Sequence, residues 1–342
     1  MGECLIVRRG GQAYKLPVLN ESYPQNVTVT ASASASATFS VVISEPGNPA
    51  EYTYKWYKGG NLVSGATGST LSLTGLTAAT TATVYCEVTN KAGTVTSRVA
   101  TLTVQDWKPV YTYTGSAQFI DDGNYHWRIK FLTSGTLKFT SLGNASSIDV
   151  FCVGGGSANS YSVGGCGGST KTQKSVAVSA GTNYPITIGA GAQEGNNQSL
   201  QGGSGGNTTA FGVTGGGGKS AGGTGSGGGG DGYINSKDVY FPAGNGGSNG
   251  GNGGGQHGAK TGQGTTTREF GETTGALYSG GGGGRDGERG NHGSGGAGGG
   301  ADCGKSAAAN TGGGAGGGNG QYQVFAGGSG IVVIRNHREA AA

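Results

Sequence analysis

From Val27 to Val104 apolar and polar residues alternate with a period of two, and clusters of Gly, Asn and Pro break the runs. This is the pattern of half-buried antiparallel strands. Tyr52, Tyr54 and Trp56 share one face while Thr53, Lys55 and Tyr57 share the other, and Gly59-Gly60-Asn61 then turns the chain. Leu71 and Leu73 mark another strand, and Ala82, Val84, Cys86 and Val88 alternate with Thr83, Tyr85, Glu87 and Thr89. Such strands predict a sandwich of two sheets. Beyond Trp107 the strand signals return at 127–131, 135–139, 147–153, 174–178 and 184–189, and once more at 330–335. The last run lies far along the chain from its predecessors, so it is expected to close a small β framework from which the intervening segment projects.

Composition changes the picture of that segment. The chain has 342 residues and 79 glycines, 56 of them within 191–330, where only ten Leu, Ile, Val or Phe residues occur. A side-chain core is not expected there, so the segment is either disordered or packed through its backbone. Runs such as Ser294-Gly295-Gly296-Ala297-Gly298-Gly299 have the period of three of the left-handed extended helix, which has no internal hydrogen bonds. Neighbouring helices must then satisfy one another's amides, and glycine lets the backbones approach closely enough. Collagen is excluded, since Pro242 is the only proline in the segment and no long Gly-X-Y register persists.

Two resemblances follow from particular residues. Lys55-Trp56-Tyr57-Lys58 followed by Val84-Tyr85-Cys86-Glu87-Val88-Thr89-Asn90 resembles an immunoglobulin-like domain, with Trp56 as the central tryptophan and Cys86 as the later cysteine. It departs from that pattern because Thr38–Ile43 holds no partner cysteine and Val84 stands where a tyrosine corner belongs. The domain is therefore expected to be stable without a disulfide, with Phe39 or Val41 packed in the partner's place, as a spacer or an adhesive module.

Trp127–Leu137, Ile148–Gly156, Ala180–Gly191 and Gly328–Arg335, in that order, resemble the glycine-rich domain of bacteriophage and prophage tail proteins, and Glu3–Leu19 resembles the start of prophage tail components. The resemblance implies a virion part of the distal tail, made in the bacterial cytoplasm, in which a polyglycine bundle carries receptor-reading loops. The predicted fold is thus all-β: an N-terminal attachment segment (1–22), an immunoglobulin-like sandwich (23–105) and a glycine-rich domain (106–342). In the last, a framework over 107–190 and 328–338 carries a bundle of polyglycine helices over 191–327.

Charge and cysteine usage narrow the function. The net charge of +4 is spread thinly, with no segment basic enough for the phosphate neutralisation that nucleic-acid binding needs. No apolar run reaches the roughly 20 residues of a membrane span, and Leu5-Ile6-Val7 is too short for a signal peptide. Five cysteines without a CxxC pair fit reduced thiols. The four histidines lack metal-ligand spacing, and Asp121-Asp122 beside Gly123-Asn124 reads as a solvated turn. Gly299–Ser306 satisfies the phosphate-loop pattern, but no strand precedes it and no helix follows. Neither an enzyme nor a cofactor is expected.

The inserts concentrate what little side-chain chemistry the glycine-rich segment has. Tyr233, Asn235, Lys237, Asp238, Tyr240 and Phe241 form one group, Arg268, Phe270 and Tyr278 a second, and Arg285 and Arg289 a third. Aromatic and Arg anchors among Gly, Asn and Ser are what recognition loops use. The expected partners are other tail proteins, a host-surface glycan or protein, and further copies of the chain. The aromatics Tyr233, Tyr240, Phe241 and Phe270 have a second reading, as a minor core capping the bundle.

Overall fold

The computed structural model describes residues 6–9, 12–160, 162–193, 202–219, 232–234, 239–241, 267–285, 293–318 and 323–338. The fold is all-β, and the chain divides into two compact units, Met1–Pro109 and Val110–Ala342.

The first unit opens with a hairpin of β1 (Ile6–Arg9) and β2 (Gln12–Lys15), and β3 (Val18–Leu19) pairs with a strand that follows later, Ile43–Glu45. Lys15 exchanges backbone hydrogen bonds with Asn48, so the end of the expected attachment segment is built into the sandwich. One sheet contains β4 (Val27–Thr30), β7 (Thr53–Lys58), β8 (Asn61–Leu62), β10 (Thr80–Asn90), β11 (Gly93–Thr96) and β12 (Ala100–Gln105). The strands between these are β5 (Ala37–Ser40), which pairs with β9 (Thr70–Leu73), and β6, the Ile43–Glu45 strand. Phe39 and Leu71 from the β5–β9 pair meet Trp56, Val84, Cys86, Val88 and Leu102 from the larger sheet in one buried cluster. The alternation read from the sequence sorts these side chains inward, and threonines share the opposite face with Lys55, Tyr57, Tyr85 and Glu87.

Cys86 forms no disulfide. Burial pushes its thiol up to about 12, so it holds almost no reactive thiolate at neutral pH. Phe39 and Val41 pack in the same cluster, as the sequence predicts.

The second unit is built on two five-stranded sheets. Its strands are β13 (Val110–Tyr113), β14 (Ala117–Gly123), β15 (His126–Phe131), β16 (Gly135–Ser141), β17 (Ile148–Val153), β18 (Thr170–Val176), β19 (Asn183–Thr187), β20 (Thr208–Ala210), β21 (Val213–Gly215), the hairpin strands β22 (Gly232–Ile234) and β23 (Val239–Phe241), and β24 (Ile331–Asn336). The orders are β13-β16-β19-β20-β21 and β14-β15-β24-β17-β18. β24 lies between β15 and β17, so the end of the described chain completes the middle of the second sheet. Every residue of β17 and β24 is buried. A strand buried on both faces reads as a continuous apolar run, which is why Asp149 and Arg335 stand out in these two.

The glycine-rich stretches beside these sheets are laced by backbone hydrogen bonds outside any sheet. Gly154, Gly155 and Gly156 donate to three different neighbours, Ser169, Gly206 and Gly328. Donors three residues apart return to the same neighbour: Ser157 donates to Cys166, and Ala158 to Gly203. The same spacing recurs where Gly280 and Gly283 donate to Gly298 and Ala301, and where Gly314 and Gly317 donate to Gly280 and Gly283. The lattice is wider than the sequence boundary at 191 implies, because Gly154–Gly168 belongs to it. The β20–β21 hairpin, although inside the glycine-rich segment, belongs to a sheet.

Candidate recognition surface

Residues Thr267–Ser279 form a strap across the outer face of the second sheet. Phe270 and Tyr278 are buried in a cluster with Phe151, Val153, Ile331 and Val333. This corrects the expectation that both reach a receptor: they are core side chains, and their large apolar area is what holds a glycine-poor segment on the sheet. For Phe270 the minor-core reading is the one observed. Its backbone has φ of 58°, a conformation unusual for a bulky side chain. The strap thereby turns within the short helix Glu269–Gly271, while Gly271 and Gly275 serve its other bends.

Charge fixes the strap as well. Glu269 accepts from Arg128 at 2.5 Å and Lys130 lies 3.3 Å away, while the Tyr278 hydroxyl donates to Glu269 at 3.0 Å. Glu272 pairs with Arg335 at 2.6 Å, and the Arg335 guanidinium lies 4.2 Å over the Phe270 ring. Arg335 also pairs with Asp149 at 2.9 Å, its partner in the β17–β24 register. Burial and the neighbouring Glu269 together raise the Tyr278 hydroxyl above its ordinary range.

Asp122 is not the solvated turn residue the sequence suggests. It pairs with Arg128 at 2.8 Å and Arg338 at 2.7 Å, whereas Asp121 caps the turn by accepting from the Gly123 amide. Burial by itself would raise the Asp122 and Asp149 carboxyls. Hydrogen bonds from Arg128 and Arg338 to Asp122, and from His337, the Ser175 amide and Arg335 to Asp149, outweigh it and hold both below the usual range. A depressed carboxylate takes up protons in the unfolded chain before the folded one, so its stabilisation is complete above the unfolded value and is lost as pH falls through the folded one. The melting temperature of the second unit is therefore expected to hold between neutral pH and about 5 and to fall below about 4. Asp122→Asn, which removes one of these carboxylates, is expected to flatten that fall; a melting temperature independent of pH down to 2.5 (about one unit below the ordinary carboxylate range) would contradict the ion-pair account.

The remaining expected recognition residues are distributed as follows. Arg268 is half-buried and donates to the Gly275 carbonyl at 3.2 Å. Tyr233 and Tyr240 are register partners in the β22–β23 hairpin, and Phe241 is opposite Gly232. Arg285 is half-buried with its amide on the Ser162 carbonyl. Asn235, Lys237, Asp238 and Arg289 lie outside the described residues.

Described residues that flank three stretches of the glycine-rich segment come close to Asn159 and Ser162. Asn159 donates to the Gln323 carbonyl at 3.0 Å and accepts from the Phe325 amide, while Arg285 is bonded to Ser162. Gly202 lies so close to Asn159 that an added Cβ would come within 2.0 Å of its carbonyl oxygen. Gly202, Arg285 and Gln323, one flank each of 194–201, 286–292 and 319–322, thus lie near Asn159 and Ser162, and of the three expected recognition groups only that of Arg285 borders them.

The Gly299–Ser306 stretch has no capacity to cradle phosphate in this arrangement. The amides of Ala301, Cys303 and Gly304 donate to Gly314, Gly293 and Gly317 of the lattice, and Lys305 pairs with Asp302 at 3.1 Å. Among the described residues no cluster of three His, Cys, Asp or Glu side chains has the arrangement to hold a metal, and no helix is long and apolar enough to cross a membrane. Sequence reading passed over Arg128, Asp149 and Arg335; the available signal was an acid within the apolar run Ile148–Val153 and a base directly after the apolar run Ile331–Ile334, while Arg128, in a strand with His126 and Lys130, carried none.

A two-sheet scaffold whose glycines form a backbone-bonded lattice defines the class as a glycine-rich β protein. Residues 132–337, more than half of the chain, match the profile of the family described as the glycine-rich domain, and the chain belongs to that family. Among solved structures it is similar to the Bacteroides ovatus mixed-linkage glucan utilization locus SGBP-B in complex with mixed-linkage heptasaccharide, at 16% identity and a TM-score of 0.20. The match covers 58% of this chain and 46% of that one, so the chain spans less than half of that protein's length. No curated protein matches the chain.

Proposed function

We propose that the chain is a non-enzymatic tail-tip or tail-fibre component of a phage or prophage virion, in which a glycine lattice holds recognition loops toward a host-surface glycan or protein. The observation that carries this reading is the backbone-bonded lattice itself, whose amides are answered by neighbouring glycine stretches, so that it supplies a support from which inserts are held. The tail-protein motifs in the sequence and membership of the glycine-rich domain family support it. On this reading the lattice is a bundle of left-handed extended helices, since three residues per turn send every third amide to the same neighbour. A loop held by a rigid bundle loses less entropy on binding than an unsupported one. The first unit then serves as the spacer that joins the loops to the particle through other tail proteins.

Burial of Phe270 and Tyr278 removes two aromatics from the recognition set and favours, as a second reading, a decoration or filament subunit that packs through its lattice. Joint replacement of Lys237, Tyr240 and Arg289 by alanine separates the two. The recognition reading expects attachment to host cells to drop to background while the protein still enters particles. Normal attachment by correctly assembled particles would leave only the structural reading.

A further inference from the structure

The outer face of the larger sheet in the first unit carries a row of apolar side chains at one level. Across the strand order β8-β7-β10-β12 the row holds Leu62, Tyr57, Tyr85 and Val99. Leu62 is the register partner of Tyr57, and Tyr57 is that of Tyr85. Val99 directly precedes Ala100, the partner of Val84, and so comes level with Tyr85. The two tyrosine rings stack at 4.8 Å, and Leu62 and Val99 on either side of them are 58% and 53% exposed. A single exposed leucine or valine is ordinary on a protein surface, but a continuous row across four strands is a patch of the kind that marks an interaction site.

The residues around the row specify what covers it. At the next level Lys55 is opposite Glu87, and beyond them Thr53 is opposite Thr89. The Glu87 carboxylate accepts from the Tyr57 hydroxyl at 2.9 Å, and Lys55 is exposed. Each outward position of β7 therefore has a complement at the same level of β10, opposite in charge or alike in character. We propose that a second copy of the chain docks here, sheet on sheet, about a two-fold axis parallel to the strands and midway between β7 and β10. Such an axis sets β7 of one copy over β10 of the other and β8 over β12, so the same patch serves both sides. Lys55 then faces Glu87 of the second copy, Tyr57 faces Tyr85 and Leu62 faces Val99, each contact occurring twice. Sheets stacked face to face keep their strands nearly aligned, as this axis requires. The face is about 15–20 Å wide, near the lower limit for a specific interface, so the dimer is expected to dissociate in the micromolar range. The contact involves the first unit alone, so it stands apart from both the attachment reading and packing through the glycine lattice.

Sedimentation velocity of the full chain over a concentration series tests this. The chain is expected to pass from monomer to dimer over the micromolar range. Leu62→Arg, at an exposed position outside the core, is expected to weaken the dimer by about tenfold or more with the melting temperature unchanged. Lys55→Glu and Glu87→Lys are each expected to weaken it by about as much, because like charges then meet twice. An equimolar mixture of these two variants is expected to dimerise again, since the mixed pair regains both opposite-charge contacts; a defect in folding could not be rescued in this way. A chain that stays monomeric to millimolar concentration would overturn the proposal. A dimer or larger assembly indifferent to Leu62→Arg would also overturn it and leave the glycine lattice as the contact. Charge variants that do not weaken the dimer, or whose mixture shows no rescue, would overturn the two-fold arrangement.

Discussion

Gly217→Ala is expected to break the glycine lattice, while Gly216→Ala, one residue earlier, leaves it intact. A Cβ at Gly217 would come within 1.9 Å of the Gly205 carbonyl oxygen, a distance that no side-chain rotation relieves because both groups are backbone. Gly205 cannot withdraw, since its own Cβ position is 2.0 Å from the Gly155 carbonyl, and that of Gly155 is 2.1 Å from Ala190. At Gly216 the nearest atom is the Ser169 Cβ at 3.8 Å, an ordinary contact. Overpacking at Gly217 is expected to cost about 3 kcal/mol. Alanine at Gly216 is expected to be neutral or to stabilise by about 0.4–1 kcal/mol through the unfolded chain. Thermal unfolding of the two variants side by side checks this, and equal melting temperatures would show that the backbones are not packed as tightly as the lattice requires.

Trp56→Ala is expected to cost the first unit about 3–5 kcal/mol, the range for deleting a large buried ring. Trp56 is fully buried between the sheets and its indole donates to the Gly68 carbonyl at 2.9 Å, so the change opens a cavity and strands a carbonyl. No disulfide is there to limit the damage, as Cys86 stays a thiol. Hydrogen exchange on the amides of β7 and β10 reads the loss directly. Unchanged protection of those amides would mean that the ring does not bear on the stability of the sandwich.

Much of the fold was legible in the sequence because strand alternation needs only near neighbours. The run from Ala82 to Thr89 sorts its side chains to two faces whatever lies beside it, and Trp56 and Cys86 are buried on the face the alternation assigns. Excess glycine and scarce large apolar residues likewise exclude a conventional core across most of 191–330 before any coordinate is known. The strap is the exception, and it was misread for a physical reason. Phe270 and Tyr278 sit in a polar, glycine-rich neighbourhood that looks exposed, and nothing local reveals that the face carrying Phe151 and Val333 lies beneath them.

By itself the sequence determined the strands of the sandwich and the core strands of the second unit, the absence of a partner cysteine for Cys86 and the lack of a side-chain core in the glycine-rich segment, since each depends on residue type and local spacing. Only the tertiary structure decided that Asp149 meets Arg335 across 186 positions, that Gly217 is closed to a methyl group while Gly216 is not, and that Gly202, Arg285 and Gln323 come close to Asn159 and Ser162. Those outcomes depend on which strand lies beside which. With β24 inserted between β15 and β17, partners distant in the chain come into contact, and the approach of neighbouring backbones separates a forbidden methyl group, 1.9 Å from a carbonyl oxygen at Gly217, from a permitted one, 3.8 Å from its nearest neighbour at Gly216.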